Sequence, residues 1–75
     1  MSYNGWKNYE TWSVHLHFFD GFDREGIEYS ADMVENHVQT CVESSVAGGS
    51  FAMMLVQQFL HAVDWQEIAN AINEN

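Results

Sequence analysis

The chain has 75 residues, with eleven Asp and Glu against two Lys and Arg, for a formal net charge of -9. That balance repels phosphate and anionic lipid, so direct nucleic-acid binding and attachment to acidic membranes are excluded as expectations. The length allows one domain over residues 1–75. The 47% apolar share, with three Trp, three Tyr and five Phe, argues against disorder.

The first predicted element follows a loop, Tyr3-Asn4-Gly5-Trp6-Lys7, whose Asn4-Gly5 pair signals a primed turn. Trp6 is expected to fold back onto the helices. A helix is then predicted from Asn8 to Phe19, with Asn8 as N-cap and Glu10 in the first turn. Trp12, Leu16 and Phe19 follow the i, i+4, i+7 spacing of a single core face. Asp20-Gly21 ends this segment.

A second helix is predicted over Ala31 to Val46, capped by Ser30. Its narrow apolar stripe is Val34, Val38, Cys41, Val42 and Ser45, widened by Met33 and His37. Gly48-Gly49 stops it. The third, Phe51 to Val63, is capped by Ser50 and apolar nearly all round: Phe51, Leu55 and Phe59 on one side, Met53, Val56 and Leu60 on another. Such a helix is central or is covered by a partner, which makes Met53, Val56 and Leu60 a candidate homodimer contact. The fourth runs from Trp65 to Ile72. Asp64-Trp65-Gln66-Glu67 reads as a capping box, and Asn73-Glu74-Asn75 as a fraying end. The fold class expected is all-α: a compact bundle of three to four short helices with an ordered N-terminal loop. Its expected core is Trp12, Leu16, Phe19, Val38, Leu55, Phe59, Trp65, Ile68 and Ile72.

Chemistry-bearing motifs are sparse. Cys41 is the only cysteine, so an intramolecular disulfide and a cysteine-based zinc finger are both excluded. With the polar opening Met1-Ser2-Tyr3-Asn4-Gly5, which lacks a basic start, it leads to an expected cytoplasmic setting. His37 and Cys41 stand four apart on a predicted helix and could face one metal ion, with further ligands from His15, His17, His61 or a carboxylate. No HExxH or CxxC spacing supports this, and no metal or other cofactor is expected. Gly48-Gly49-Ser50 opens a helix but lacks the Lys of a phosphate site. No nucleophile elbow or dinucleotide fingerprint is present, so the chain is not expected to be an enzyme. The aromatic front of Tyr3, Trp6, Tyr9 and Trp12 suits base stacking in type. It lacks the basic groove that single-strand binders need, and is read as core and loop anchor.

The acidic centre carries the functional reading. Asp20, Asp23, Glu25, Glu28, Asp32 and Glu35 fall within sixteen residues, beside a single base, Arg24. One reading is a solvated face that keeps an apolar protein soluble, and adaptation to high salt is a separate, minor alternative. The other is charge mimicry. Helical spacings of three and four set carboxylates about 5–6 Å apart, against a phosphate about every 3.4 Å along one DNA strand. Such a row would dock on the Lys and Arg that line a nucleic-acid channel.

Tyr3-Asn4-Gly5-Trp6-Lys7-Asn8-Tyr9-Glu10-Thr11-Trp12 resembles the start of a family of small uncharacterised proteins of bacteriophages and other mobile elements, marked by a YNGWxNYETW run. Val63-Asp64-Trp65-Gln66-Glu67-Ile68-Ala69 resembles the WxEIA closing segment of the same group. The resemblance implies an α-helical domain of phage or plasmid origin in an infected host cell, and supplies no catalytic residue. Together with the charge it leads to the expectation of a non-enzymatic inhibitor. It would bind a host protein with a basic surface, as anti-CRISPR or antirestriction proteins do, with DNA mimicry as one means. The alternative expectation is an assembly module that dimerises or docks through the third helix.

Overall fold

In the computed structural model, residues 3–74 are described. Asn4 and Gly5 both take positive φ, 49° and 85°, and Tyr3 and Trp6 exchange backbone hydrogen bonds across them at 2.6 and 2.8 Å. This is the primed turn that the Asn-Gly pair predicts. It returns Trp6 to pack, partly buried, against the core.

Helix α1 spans Tyr9–Val14 and passes directly into a π-helical segment, His15–Phe19. Asn8 caps α1: its Oδ1 accepts from Thr11 N at 2.9 Å. The predicted end at Phe19 holds, but the face turns. An i→i+5 repeat brings Val14 and Phe19 to one side, and both are buried. Leu16, expected in the core on a uniform helix, is 42% exposed, and Trp12 is half-buried.

Helix α2 covers Ala31–Ser45, with Ser30 Oγ accepting from Met33 N at 3.2 Å. Val34, Val38 and Val42 recur every fourth residue and are buried; Cys41 is half-buried, and Met33, His37 and Ser45 are exposed. The true stripe is therefore narrower than expected. It joins one hydrophobic core with Ile68, Ala69 and Ile72 of helix α4, Trp65–Asn73. Between them in the chain lies α3, Phe51–His61, capped by Ser50. It ends two residues before the expected Val63, where Val63 N bonds Leu60 O and the Val63 side chain enters the core. The all-α expectation is met, with four helices over the described residues. The molecule measures 36 × 31 × 19 Å, its thinnest dimension about two helix diameters.

A polar weld holds the first and last elements together. Thr11 is fully buried; its hydroxyl donates to Asn8 Oδ1 at 2.6 Å and accepts from Asp64 N at 2.9 Å. Asn8 Nδ2 donates to Ala62 O at 2.8 Å. Asp64 Oδ1 accepts from Glu67 N at 3.1 Å, which is half of the expected capping box. The other half is absent because Thr11 has taken Asp64 N, and Glu67 Oε1 instead accepts from Lys7 N at 2.9 Å. The expected fraying at Asn73 is also replaced by an anchor. Its side-chain amide accepts from Tyr29 N and donates to Tyr29 O, both at 2.8 Å. Asn75 lies outside the described residues.

Candidate partner-binding surface

The acidic stretch occupies the connection between the π segment and α2, and the first turns of α2. Asp20, Asp23, Glu25, Glu28 and Asp32 are exposed, and Glu35 is half-buried. The loop has its own local structure: Glu25 N donates to Asp23 Oδ1 at 2.9 Å, and Arg24 Nη1 donates to Ile27 O at 3.0 Å. Beneath it, Phe22 packs edge-on against Phe19 and Tyr29, with ring centres 5.2 and 5.5 Å apart. Together with the Asn73 anchor these rings fix both ends of the loop. Because α2 starts at Ala31, only Asp32 and Glu35 share helical spacing; Glu28 lies in the segment before the helix. Glu35 lines a polar cleft with Gln39, Gln57 and His61. The six carboxylates thus lie close along the chain but do not form a row on one helix face.

Helix α3 presents a different surface from the one expected. Leu60 is in the core, and Met53 and Val56 pack against it, so these three are largely committed to the monomer. The apolar side chains left in water are Phe51, 71% exposed, with Met54 and Leu55 at about half. A reciprocal pair of amide hydrogen bonds at 2.8 and 2.9 Å, between Gln39 and Gln57, ties α3 to α2. Nearby an apolar groove of about 340 Å³ opens among Val14, Phe18, Cys41, Val42, Val56 and Phe59.

The histidines are dispersed by the fold. His37 sits against the Phe19 and Phe22 rings at 5.4 and 5.7 Å, whereas Cys41 and His17 line the apolar groove. His15 lies 4.6 Å from the Trp6 ring, and burial lowers its pKa below 6.5, with Asp20 opposing the shift in smaller part. Among the described residues no group of three or more His, Cys, Asp or Glu is placed to hold a metal ion. No helix among them is long and apolar enough to cross a membrane.

The geometry makes sense of the dense N-terminal run: Asn8 and Thr11 build the weld, and Trp6 closes the turn onto the core. The whole chain, residues 1–75, matches the model of a family of unknown function, DUF7249. The chain belongs to that family. No curated protein and no solved structure matches this DUF7249 chain. Sequence reasoning missed two surfaces of it. Tyr3 and Tyr9, read with Trp6 and Trp12 as core and loop anchor, are 40% and 48% exposed. Phe51, Met54 and Leu55 were hidden by the uniform apolarity of their helix, which marks no inner face. The usable signal for the aromatics was their repeat at Tyr3, Trp6, Tyr9 and Trp12, which puts more rings at one end than a small core can enclose.

Proposed function

We propose that the chain is a non-enzymatic, phage-encoded inhibitor that occupies a basic surface of a host nucleic-acid-handling complex, of the anti-CRISPR or antirestriction kind. The observation that carries this reading is the acidic connection: five exposed carboxylates and one half-buried, on a segment pinned at both ends, in a chain of net charge -9. A fixed, predominantly anionic surface speeds encounter with a cationic partner and is complementary to a channel built for phosphate. The resemblance of the front and tail to mobile-element proteins supports the phage origin and the infected host's cytoplasm as the place of action. The carboxylates act as a cluster rather than as an ordered imitation of a DNA strand, since only Asp32 and Glu35 share helical spacing and Glu28 lies before the helix. The test is expression of the chain in cells that carry a restriction enzyme or CRISPR effector, scored by survival of a targeted phage. The chain protects the phage, and the combined reversal Glu28→Lys, Asp32→Lys and Glu35→Lys abolishes protection with an unchanged circular dichroism spectrum. Protection that survives the reversal rejects the electrostatic reading.

A second reading is favoured by Phe51, Met54 and Leu55, which leave an apolar helix face in water. There the chain is an assembly module that docks through α3, and association withstands high salt. Phe51→Asp with Leu55→Asp then abolishes association while the fold persists.

A further inference from the structure

We propose that the aromatic cluster of exposed Tyr3 and Tyr9 with half-buried Trp12 is a recognition site for arginine side chains on a partner protein. The three ring centres form a triangle with sides of 5.3, 4.9 and 5.7 Å, and the planes are inclined at 87°, 54° and 43°. The rings touch one another, so a ligand does not enter between them. Tyr3 and Tyr9 stand at the surface, 40% and 48% exposed. Tyr9 also meets Phe59 edge-on at 6.3 Å, which joins the cluster to helix α3.

The charge of the chain selects the occupant. A ring face is the negative end of its quadrupole and attracts a cation placed over it. The chain as a whole carries a net charge of -9, which favours the approach of a cation. Nucleobases also stack on such rings, but they bring phosphates, which this chain repels and has few cations to hold. A planar, weakly hydrated guanidinium stacks better than an ammonium, so arginine is favoured over lysine. Tyr and Trp are stiff side chains that lose little entropy on contact, and with Arg they dominate binding hot spots. The neighbouring Asn8 and Thr11 hold the start of α1 against Ala62 and Asp64, so the platform is preorganised. This site deepens the reading of the chain as a binder of basic protein surfaces and rests on that reading for the sign of the partner's charge.

The test uses the full chain with ¹³C-labelled aromatic rings, titrated with an (Arg-Gly)₄ peptide, its (Lys-Gly)₄ counterpart and oligothymidine. The arginine peptide is expected to shift the Tyr3, Tyr9 and Trp12 signals and to bind more tightly than the lysine peptide, with oligothymidine inert. Tyr9→Leu and Trp12→Leu keep apolar bulk but remove the ring, and each should weaken the arginine peptide roughly 3- to 10-fold. Methyl signals of Val34, Ile68 and Ile72 report an intact core. If Trp12→Leu disturbs them, Tyr3→Leu, which lies outside α1, replaces it. Unshifted ring signals, or leucine variants that bind as the parent does, overturn the proposal. Paired reversal of Glu28 and Asp32 to Lys separates the two readings. Binding that falls on reversal while the rings stay silent rejects this site and keeps the electrostatic one. Ring shifts that persist with no effect of reversal at low salt do the opposite.

Discussion

Replacing Thr11 by Val removes one oxygen and leaves the shape of the side chain nearly unchanged. That oxygen links two elements 53 residues apart, because it donates to Asn8 Oδ1 and accepts from Asp64 N. In the variant Asp64 N, at the partly buried start of α4, has a methyl group where its acceptor stood. An unpaired buried donor costs about 1–3 kcal/mol, and the lost bond to Asn8 adds about 0.5–1.5 kcal/mol. Asn8 keeps its bond from Thr11 N, so the cap survives and the lower half of each range applies. The expected loss is about 2 kcal/mol. At about 0.05–0.15 kcal/mol per residue the whole domain holds only about 4–11 kcal/mol, so the loss is a large share of it. It should lower the melting temperature by roughly 8–16 °C, at about 4–8 °C per kcal/mol. Urea unfolding followed at 222 nm measures it. Thr11→Ser supplies the control, because it keeps the hydroxyl and removes only a methyl, at about 1 kcal/mol. The reasoning is refuted if Thr11→Ser proves the more damaging of the two, or if Thr11→Val shifts stability by less than about 0.5 kcal/mol.

Leu60→Asp should unfold the domain, because Leu60 lies in the core, whereas Phe51→Asp should leave the melting temperature within a few degrees; thermal scans of both check this placement. Asn73→Ala removes both hydrogen bonds to Tyr29 and should cost about 1–3 kcal/mol, with faster proteolysis between Asp20 and Ser30 as the readout. His15 has a lowered pKa, so near pH 6.5 the unfolded chain takes up a proton before the folded one does. Its contribution is therefore full above about pH 6.5 and is lost as pH falls toward the folded value. His15→Phe, which keeps a ring against Trp6, should flatten that part of the stability profile between pH 7.5 and 5, measured by urea midpoints.

What was legible in the sequence was local. Asn8, Ser30, Ser50 and Asp64 each cap the helix predicted for them, because a cap depends on a side chain and the backbone three residues on. The Asn4-Gly5 turn is legible for the same reason. The orientation of faces was not. Periodicity assumes 3.6 residues per turn; the inner face of α1 is Thr11 and Val14 rather than Trp12, and the π segment that follows puts Phe19 in the core and leaves Leu16 exposed. Glu67 reads as the partner of the Asp64 backbone until Thr11, distant in sequence, takes that donor. Exposure of the carboxylates was readable from desolvation alone, but their arrangement depends on a loop with positive φ at Gly21, Glu25 and Gly26. Of these, Glu25 has no glycine-like reason in the sequence to be there.

The exposed side of α3 and the acidic connection ask different things of one small molecule. The core is built mainly by α2 and α4, whose stripes of Val34, Val38 and Val42 and of Ile68, Ala69 and Ile72 are buried. Helix α3 adds one buried side chain, Leu60, and leaves Phe51 largely and Met54 and Leu55 about half in water. Covering side chains of that size is worth about 1.5–3 kcal/mol each when complete, so a fold this small forgoes an appreciable fraction of its stability there. A charged surface governs how fast and how selectively a partner arrives, whereas a desolvated apolar contact governs how long it stays. The two surfaces are therefore not rivals in physical terms. On the proposed reading, carboxylates on an anchored loop would bring a cationic partner in at long range, and the aromatic cluster at Tyr9 continues through Phe59 onto α3, where apolar area remains to be covered. A partner that used both would show an association rate that falls steeply with salt and a dissociation rate that hardly changes.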